Sequence, residues 1–292
     1  MPNTDYVIIS DSCSDLTADL VKELDLLIVP LSLTIGGKEY YNFPDESEIS
    51  FSTFYDLLRK ERKSSTSAVN TTAFISYMEP VLASGKDLIY LAFSSALSAT
   101  YNASVMACAE LREKYPERKI HVVDSLCASL GLGLLVYLTV QEKKKGKTVD
   151  EVHDFAEQTK LNICHWFTVD DLFHLHSGGR VSKTSAVLGS MLNIKPVLHV
   201  NNEGKLISVS KARGTGNALK ALMEKMVQNA TDPKEQTIFI SHGDCIDRAN
   251  ELAAMIRSKF SVADIIINYV GPVIGSHSGP GTIALFFIGS QR

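Results

Sequence analysis

Asp87-Leu88-Ile89-Tyr90-Leu91-Ala92-Phe93-Ser94-Ser95 carries the strongest strand signal in the first half of the chain. Apolar side chains follow one another without a break, bounded by a carboxylate at one end and hydroxyls at the other. Such a run fits a strand buried on both faces. Leu97 to Glu113 downstream reads as a helix, Ile120-His121-Val122-Val123 as a second strand, and Ala128 to Glu142 as an apolar helix. Upstream, Tyr6-Val7-Ile8-Ile9-Ser10 is another short strand, after which Leu16, Leu20, Val21 and Leu24 recur at helical spacing. Gly36-Gly37 marks a hairpin between the apolar run Leu26 to Leu33 and Lys38 to Asn42. Ser52 to Lys60, Thr72 to Leu82 and Asp150 to Thr159 read as helices. Strands alternating with helices imply β-α-β units and a largely parallel sheet. Ligands of such sheets sit beyond the carboxyl ends of the strands, which directs attention to Ser10-Asp11-Ser12, Ser94-Ser95 and Asp124-Ser125.

The second half has a different rhythm. Cys164 to Val169 reads as a strand, and Val181 to Met191 as a short helix after Ser177-Gly178-Gly179-Arg180. Pro196 to Val200 and Lys205 to Ser210 flank a good hairpin turn at Asn201-Asn202-Glu203-Gly204. Helices at Ala218 to Gln228 and Asp247 to Lys259 alternate with strands at Thr237 to Ser241, Ile265 to Tyr269 and Ile283 to Ile288. The expected architecture is an N-terminal α/β domain over residues 1–161 with a parallel sheet. A C-terminal α+β domain with a mixed sheet follows over residues 162–292.

At 292 residues the chain has room for one large or two ordinary domains. Hydrophobic residues make up 45% and charged residues 21%, which excludes disorder as the main state. A net charge of −4 argues against a nucleic-acid binder. Met1 to Tyr6 has no positive region followed by an apolar core, so no signal peptide is expected there. Ser125 to Gln141 is uncharged but short, and Gly271 to Gln291 is broken by prolines and glycines; neither reads as a membrane span. The five cysteines are odd in number and widely spaced, with no C-x-x-C, which argues against a disulfide framework or a structural zinc site. A cytoplasmic protein without metal or cofactor is the expectation.

The familiar chemical motifs fail one by one. Gly214-Thr215-Gly216 lacks the third glycine of a dinucleotide fingerprint, and no P-loop occurs. Gly275-Ser276-His277-Ser278-Gly279 has His277 where a nucleophile elbow needs serine. His174-Leu175-His176, near Asp170-Asp171 and His165, lacks a second cluster to complete a metal site. Ser94-Ser95-Ala96-Leu97-Ser98-Ala99-Thr100-Tyr101 is more informative. One N-cap explains one hydroxyl, not four, and helix N–H groups with added Ser and Thr donors suit an anion. Ser64-Ser65-Thr66-Ser67 alone would be a surface loop. His277-Ser278-Gly279-Pro280-Gly281 alone would be a rigid turn carrying a histidine.

Seven segments in one order, across nearly the whole chain, resemble the DegV family of bacterial fatty-acid-binding proteins. They are Asp11-Ser12-Cys13-Ser14-Asp15-Leu16, Thr66-Ser67, Ser94 to Tyr101, Val122-Val123-Asp124-Ser125, Ser177-Gly178-Gly179-Arg180, Asn193-Ile194-Lys195-Pro196 and His277-Ser278-Gly279-Pro280-Gly281. Ala99 and Ser278 depart from the family, which usually has Gly and Thr there.

The resemblance implies one long-chain fatty acid, such as palmitate, stearate or oleate, in a tunnel between the two domains. It implies that Thr66 and Ser98 hold the carboxylate with His277 nearby, and Ser67, Ser95 and Ser278 are candidate secondary contacts. It further implies a non-catalytic carrier that takes its lipid from a membrane surface. The carrier presents the carboxylate to a separate ATP-dependent fatty acid kinase and releases acyl-phosphate toward phospholipid synthesis. Arg180 and Arg213, beside glycine turns, are candidates for contacting that kinase or the phosphate. Ser98 is expected in the first turn of the helix after Asp87–Phe93. Two other readings stay open from the residues: a serine-type acyl hydrolase using His277, which would turn over esters unaided, and a regulatory module binding a shorter acid.

Overall fold

The computed structural model describes residues 5–181 and 193–292. Its first sheet has four parallel strands, β1 (Tyr6–Asp11), β2 (Leu27–Val29), β6 (Asp87–Ala92) and β7 (Ile120–Asp124), in the order β2-β1-β6-β7. Its second is a six-stranded mixed sheet of β8 (Ile163–Thr168), β9 (Ile194–Val200), β10 (Leu206–Arg213), β11 (Thr237–His242), β12 (Asp264–Tyr269) and β13 (Ile283–Ile288). The order is β10-β9-β8-β13-β11-β12, antiparallel throughout except for the β11–β12 pair. The sequence expectation of an α/β chain with one parallel and one mixed sheet holds. The expected helix over Val181 to Met191 lies, beyond Val181, outside the described residues.

The expected Gly36-Gly37 hairpin forms, but as part of a third, small antiparallel sheet that was not expected. β3 (Ser32–Ile35) pairs with β4 (Lys38–Tyr41) through the Gly36-Gly37 hairpin and, on its other side, with β5 (Ser65–Ser67). The hydroxyl cluster read as a surface loop is thus an edge strand, registered so that Thr66 lies opposite Leu33. Three polar residues give no period-2 signal of their own; β3 supplies the order.

The helix α5 (Leu130–Lys144) explains the uncharged run that begins at Ser125. Leu130 to Val136 are all buried, because this helix lies between the parallel sheet and the inner face of the mixed sheet. A helix buried on every side needs no polar face. Gly131 allows the close approach: a Cβ there would stand 2.1 Å from Nε2 of His165 on β8. On the outer face of the mixed sheet, Leu219, Leu222 and Met226 of α8 (Thr215–Asn229) and Leu252 and Ile256 of α9 (Ile246–Lys259) form a second core with Ile238, Ile240 and Phe287. Among the described residues no helix is long and apolar enough to cross a membrane.

Polar bonds tie the two halves together. Ser94 Oγ donates to the Gly204 carbonyl at 3.0 Å, Asn268 Nδ2 to the Asp15 carbonyl at 2.8 Å, and the Tyr55 hydroxyl to the Val270 carbonyl at 2.7 Å. The strand-end clusters Asp11-Ser12 and Asp124-Ser125 are consumed in such work. Asp11 accepts from the N–H groups of Cys13 and Phe93 and from the Tyr90 hydroxyl, and Ser125 Oγ donates to the Ala92 carbonyl. They shape the loops that line the site rather than facing it.

Candidate functional site: a cavity between the sheets

The loops after β6 and β7, the inner face of the mixed sheet and the helix α10 (Pro272–Ser278) enclose a cavity of about 240 Å³. That is far more than the roughly 10–15 Å³ that one water requires. Its wall is mostly apolar, with Leu31, Phe93, Leu97, Phe167, Val273 and Phe286 contributing from both halves. A mostly apolar void of this kind suits an aliphatic ligand.

Thr66, Ser98 and His277 all line this one cavity. Thr66 Oγ1 and His277 Nε2 are 2.8 Å apart, a contact between residues 211 positions distant in sequence. Burial, with the Arg180 charge next and His174 after it, holds the His277 imidazole down to about 4. The neutral ring can therefore donate from Nε2 to Thr66, freeing the Thr66 hydroxyl proton for an acceptor in the cavity. Ser98 lies differently from the expectation. The helix α4 (Thr100–Lys114) begins two residues later, with Ala99 at its N-cap position. Ser98 Oγ accepts from the Thr100 N–H at 3.2 Å and pairs with Thr100 Oγ1 at 2.9 Å. It sits before the first turn because its side chain takes the backbone bond that would otherwise extend the helix. His277 corrects a second expectation: it belongs to the last turn of α10, and the glycine turn follows it.

Of the secondary candidates, Ser67 and Ser278 line the cavity. Ser278 Oγ is buried with no hydrogen-bond partner, so a donor there is unspent. Ser95 is not in the wall; its N–H is held by Asp124 Oδ1 at 3.1 Å. The two arginines separate. Arg180 reaches the cavity, fixed by its Nε donating to the Leu97 carbonyl at 3.2 Å. Arg213 is exposed at the end of the edge strand β10 and lines no described cavity. Gly178 explains part of the Ser177–Arg180 motif: its Cα packs on His277 so closely that a Cβ would stand 2.1 Å from Nδ1. Ser129, Ser241 and Thr282 also line the wall and were not singled out from sequence; His165, weighed there only as a neighbour of a metal cluster, lines it too. Each lies in an ordinary strand or loop pattern, which carries no separate signal. Among the described residues no group of three or more His, Cys, Asp or Glu side chains could hold a metal ion, and His174 and His176 lie on the short helix α7 (Phe173–Ser177).

A family model described as "Uncharacterised protein, DegV family" matches residues 5–290. A DegV domain-containing protein of Clostridium perfringens (strain 13 / Type A) is 47% identical over 287 residues, covering 98% of both chains. The chain belongs to the DegV family. A solved DegV family protein from Thermus thermophilus, described for fatty acid binding, superposes with a TM-score of 0.88 at 28% identity, covering 98% of this chain and 99% of its own. The Streptococcus pneumoniae Fatty Acid Kinase (Fak) B3 protein, solved loaded with linoleic acid, gives a TM-score of 0.85 over 97% of this chain and 99% of its own. At 20% identity that likeness is one of fold alone.

The neutral histidines of this DegV chain give its stability a sign with pH. His277 and His242 are both held to about 4, mainly by burial, against an unfolded value near 6.5. The unfolded chain therefore binds protons that the fold refuses. The contribution of these two histidines is full above 6.5 and is lost as pH falls toward 4. Urea unfolding of the lipid-free protein should show His277 alone costing about 2 kcal/mol between pH 7 and pH 5, a loss that His277→Gln removes. An identical pH slope in the variant would contradict the buried neutral imidazole.

Proposed function

We propose that this protein binds one long-chain fatty acid, with its chain in the cavity between the sheets and its carboxylate at Thr66, Ser98 and His277. The observation that carries this reading is a mostly apolar void in which the Thr66–His277 pair and the unpartnered Ser278 hydroxyl converge. An acid headgroup needs donors, and neutral hydroxyls supply them without the desolvation cost of burying a lysine. Ser67 and Arg180 are proposed to add contacts at that end. The division at residues 161 and 162 is proposed as the boundary between two lobes, since the parallel-sheet strands precede it and the mixed-sheet strands follow it.

The chain is proposed to act as a carrier in the cytoplasm, exchanging lipid at a membrane surface. It would present the carboxylate to a separate fatty acid kinase, which supplies ATP and performs the transfer toward phospholipid synthesis. The kinase partner rests on the family resemblance and on the lack of a nucleotide loop in the sequence. No cofactor is proposed.

Organic extraction and mass spectrometry of freshly purified protein tests the reading. A stoichiometric long-chain acid is the expected result; a shorter acid or no lipid would reject it. In the same assay Thr66→Val should lose about fivefold in carboxylate affinity, the cost of one hydrogen-bond partner. The corresponding fatty alcohol should respond less than the acid does.

A further inference from the structure

A second polar group breaks the apolar wall of the cavity. Ser129, at the entry to α5, and Ser241, on β11, both line it, and their hydroxyl oxygens are 3.0 Å apart. Behind them Asp15 Oδ2 lies 2.5 Å from Ser129 Oγ. Asp15 is only 6% exposed, and among the described residues no side chain bonds its Oδ1, which lies against the Gly271 backbone. This group stands apart from the head-group end. Gly271, whose Cβ would stand 2.6 Å from Asp15 Oδ1, precedes α10, and His277 is in that helix's last turn. Six residues of helical rise separate the two by about 9 Å. Val273 and Ile274 line the wall between them.

We propose that Ser129, Ser241 and Asp15 form a second binding subsite, for an oxygen carried on the middle of the acyl chain, so that hydroxy and oxo fatty acids are ligands of this protein. The inference rests on the fatty-acid reading above and adds a substrate class to it. It follows from counting donors. A buried carboxylate with no cation among its partners is held neutral, and burial pushes Asp15 up to about 8. A neutral Asp15 brings one proton, and each serine brings one. Three donors thus serve the two hydrogen bonds Asp15–Ser129 and Ser129–Ser241. Among the described residues the two serines have no other side-chain bonds; with the carboxyl proton on Oδ2, Asp15 donates to Ser129 and Ser129 to Ser241, and the Ser241 hydroxyl proton is left for the cavity. A saturated chain leaves that donor unsatisfied, whereas a hydroxyl, oxo or epoxide oxygen at that depth accepts it.

Competitive binding of 10-hydroxystearate and stearate to the delipidated full chain tests this. The wild type should bind the hydroxy acid at least as tightly as stearate. Ser241→Ala and, independently, Ser129→Ala should lower the ratio of hydroxystearate to stearate affinity about tenfold. Asp15→Asn, which keeps a neutral donor toward Ser129, should preserve the ratio. Stearate binding with hydroxystearate tenfold weaker in the wild type, or a ratio unchanged in both serine variants, overturns the subsite and leaves the fatty-acid reading standing. If neither acid binds, the fatty-acid reading itself falls and the subsite falls with it.

Discussion

Ala284→Phe should empty the protein of lipid without unfolding it. Ala284 lies on β13, with its Cα opposite Ser241 on one side and Phe167 on the other, and its methyl faces the cavity. A phenyl ring there occupies space that the proposed acyl chain would need. About 14 buried methylenes at roughly 0.8 kcal/mol each supply about 11 kcal/mol of gross affinity. Displacing about four of them removes roughly 3 kcal/mol, so affinity for stearate should fall about a hundredfold. A well-packed core would resist such an insertion. Here the void accepts it, and the thermal midpoint of the lipid-free variant should equal or exceed that of the wild type. Fluorescent fatty-acid displacement and calorimetry read the two effects separately. Wild-type lipid content in the variant would mean that the chain does not lie against β13.

Gly178→Ala acts at the other end. Its φ is not in the left-handed region, so alanine costs nothing in backbone conformation. The added methyl instead falls 2.1 Å from His277 Nδ1, and the ring must swing away from Thr66. Tail burial is untouched. Retention of lipid should therefore stay within about threefold, while acyl-phosphate formation with a bacterial fatty acid kinase subunit, ATP and Mg²⁺ should fall tenfold or more. Gly179→Ala is the contrast. Its φ is +74° and its Cβ would meet nothing within 4 Å. It should cost about 1 kcal/mol of stability through backbone strain and leave turnover alone. Equal turnover in wild type and Gly178→Ala would remove His277 from the proposed transfer.

The site was legible in unequal parts. His277 and the Ser94–Tyr101 cluster stood out because polar residues interrupt apolar patterns there. Their surroundings were harder to read. Ser98 looked like a first-turn residue because helix periodicity starts near Leu97, but its side chain captures the Thr100 N–H and delays the helix. Arg180 and Arg213 looked equivalent beside their glycine turns, yet only Arg180 reaches the cavity. Ser129 and Ser241 gave no sign, since a serine in a loop and one at a strand end are unremarkable until they meet.

What the amino-acid order determined alone was the succession of elements: parallel β-α-β units, then a mixed sheet, with an all-apolar helix between them. Those signals are local, since strand and helix periods are set by neighbours a few residues away. Tertiary structure decided which polar groups share a space. Thr66 is ordered by pairing with β3, meets a histidine from the far end of the chain, and faces a void lined from both halves of the chain, whose two sheets both pack on α5. Such meetings depend on the fit of distant surfaces, and no window of sequence contains both partners.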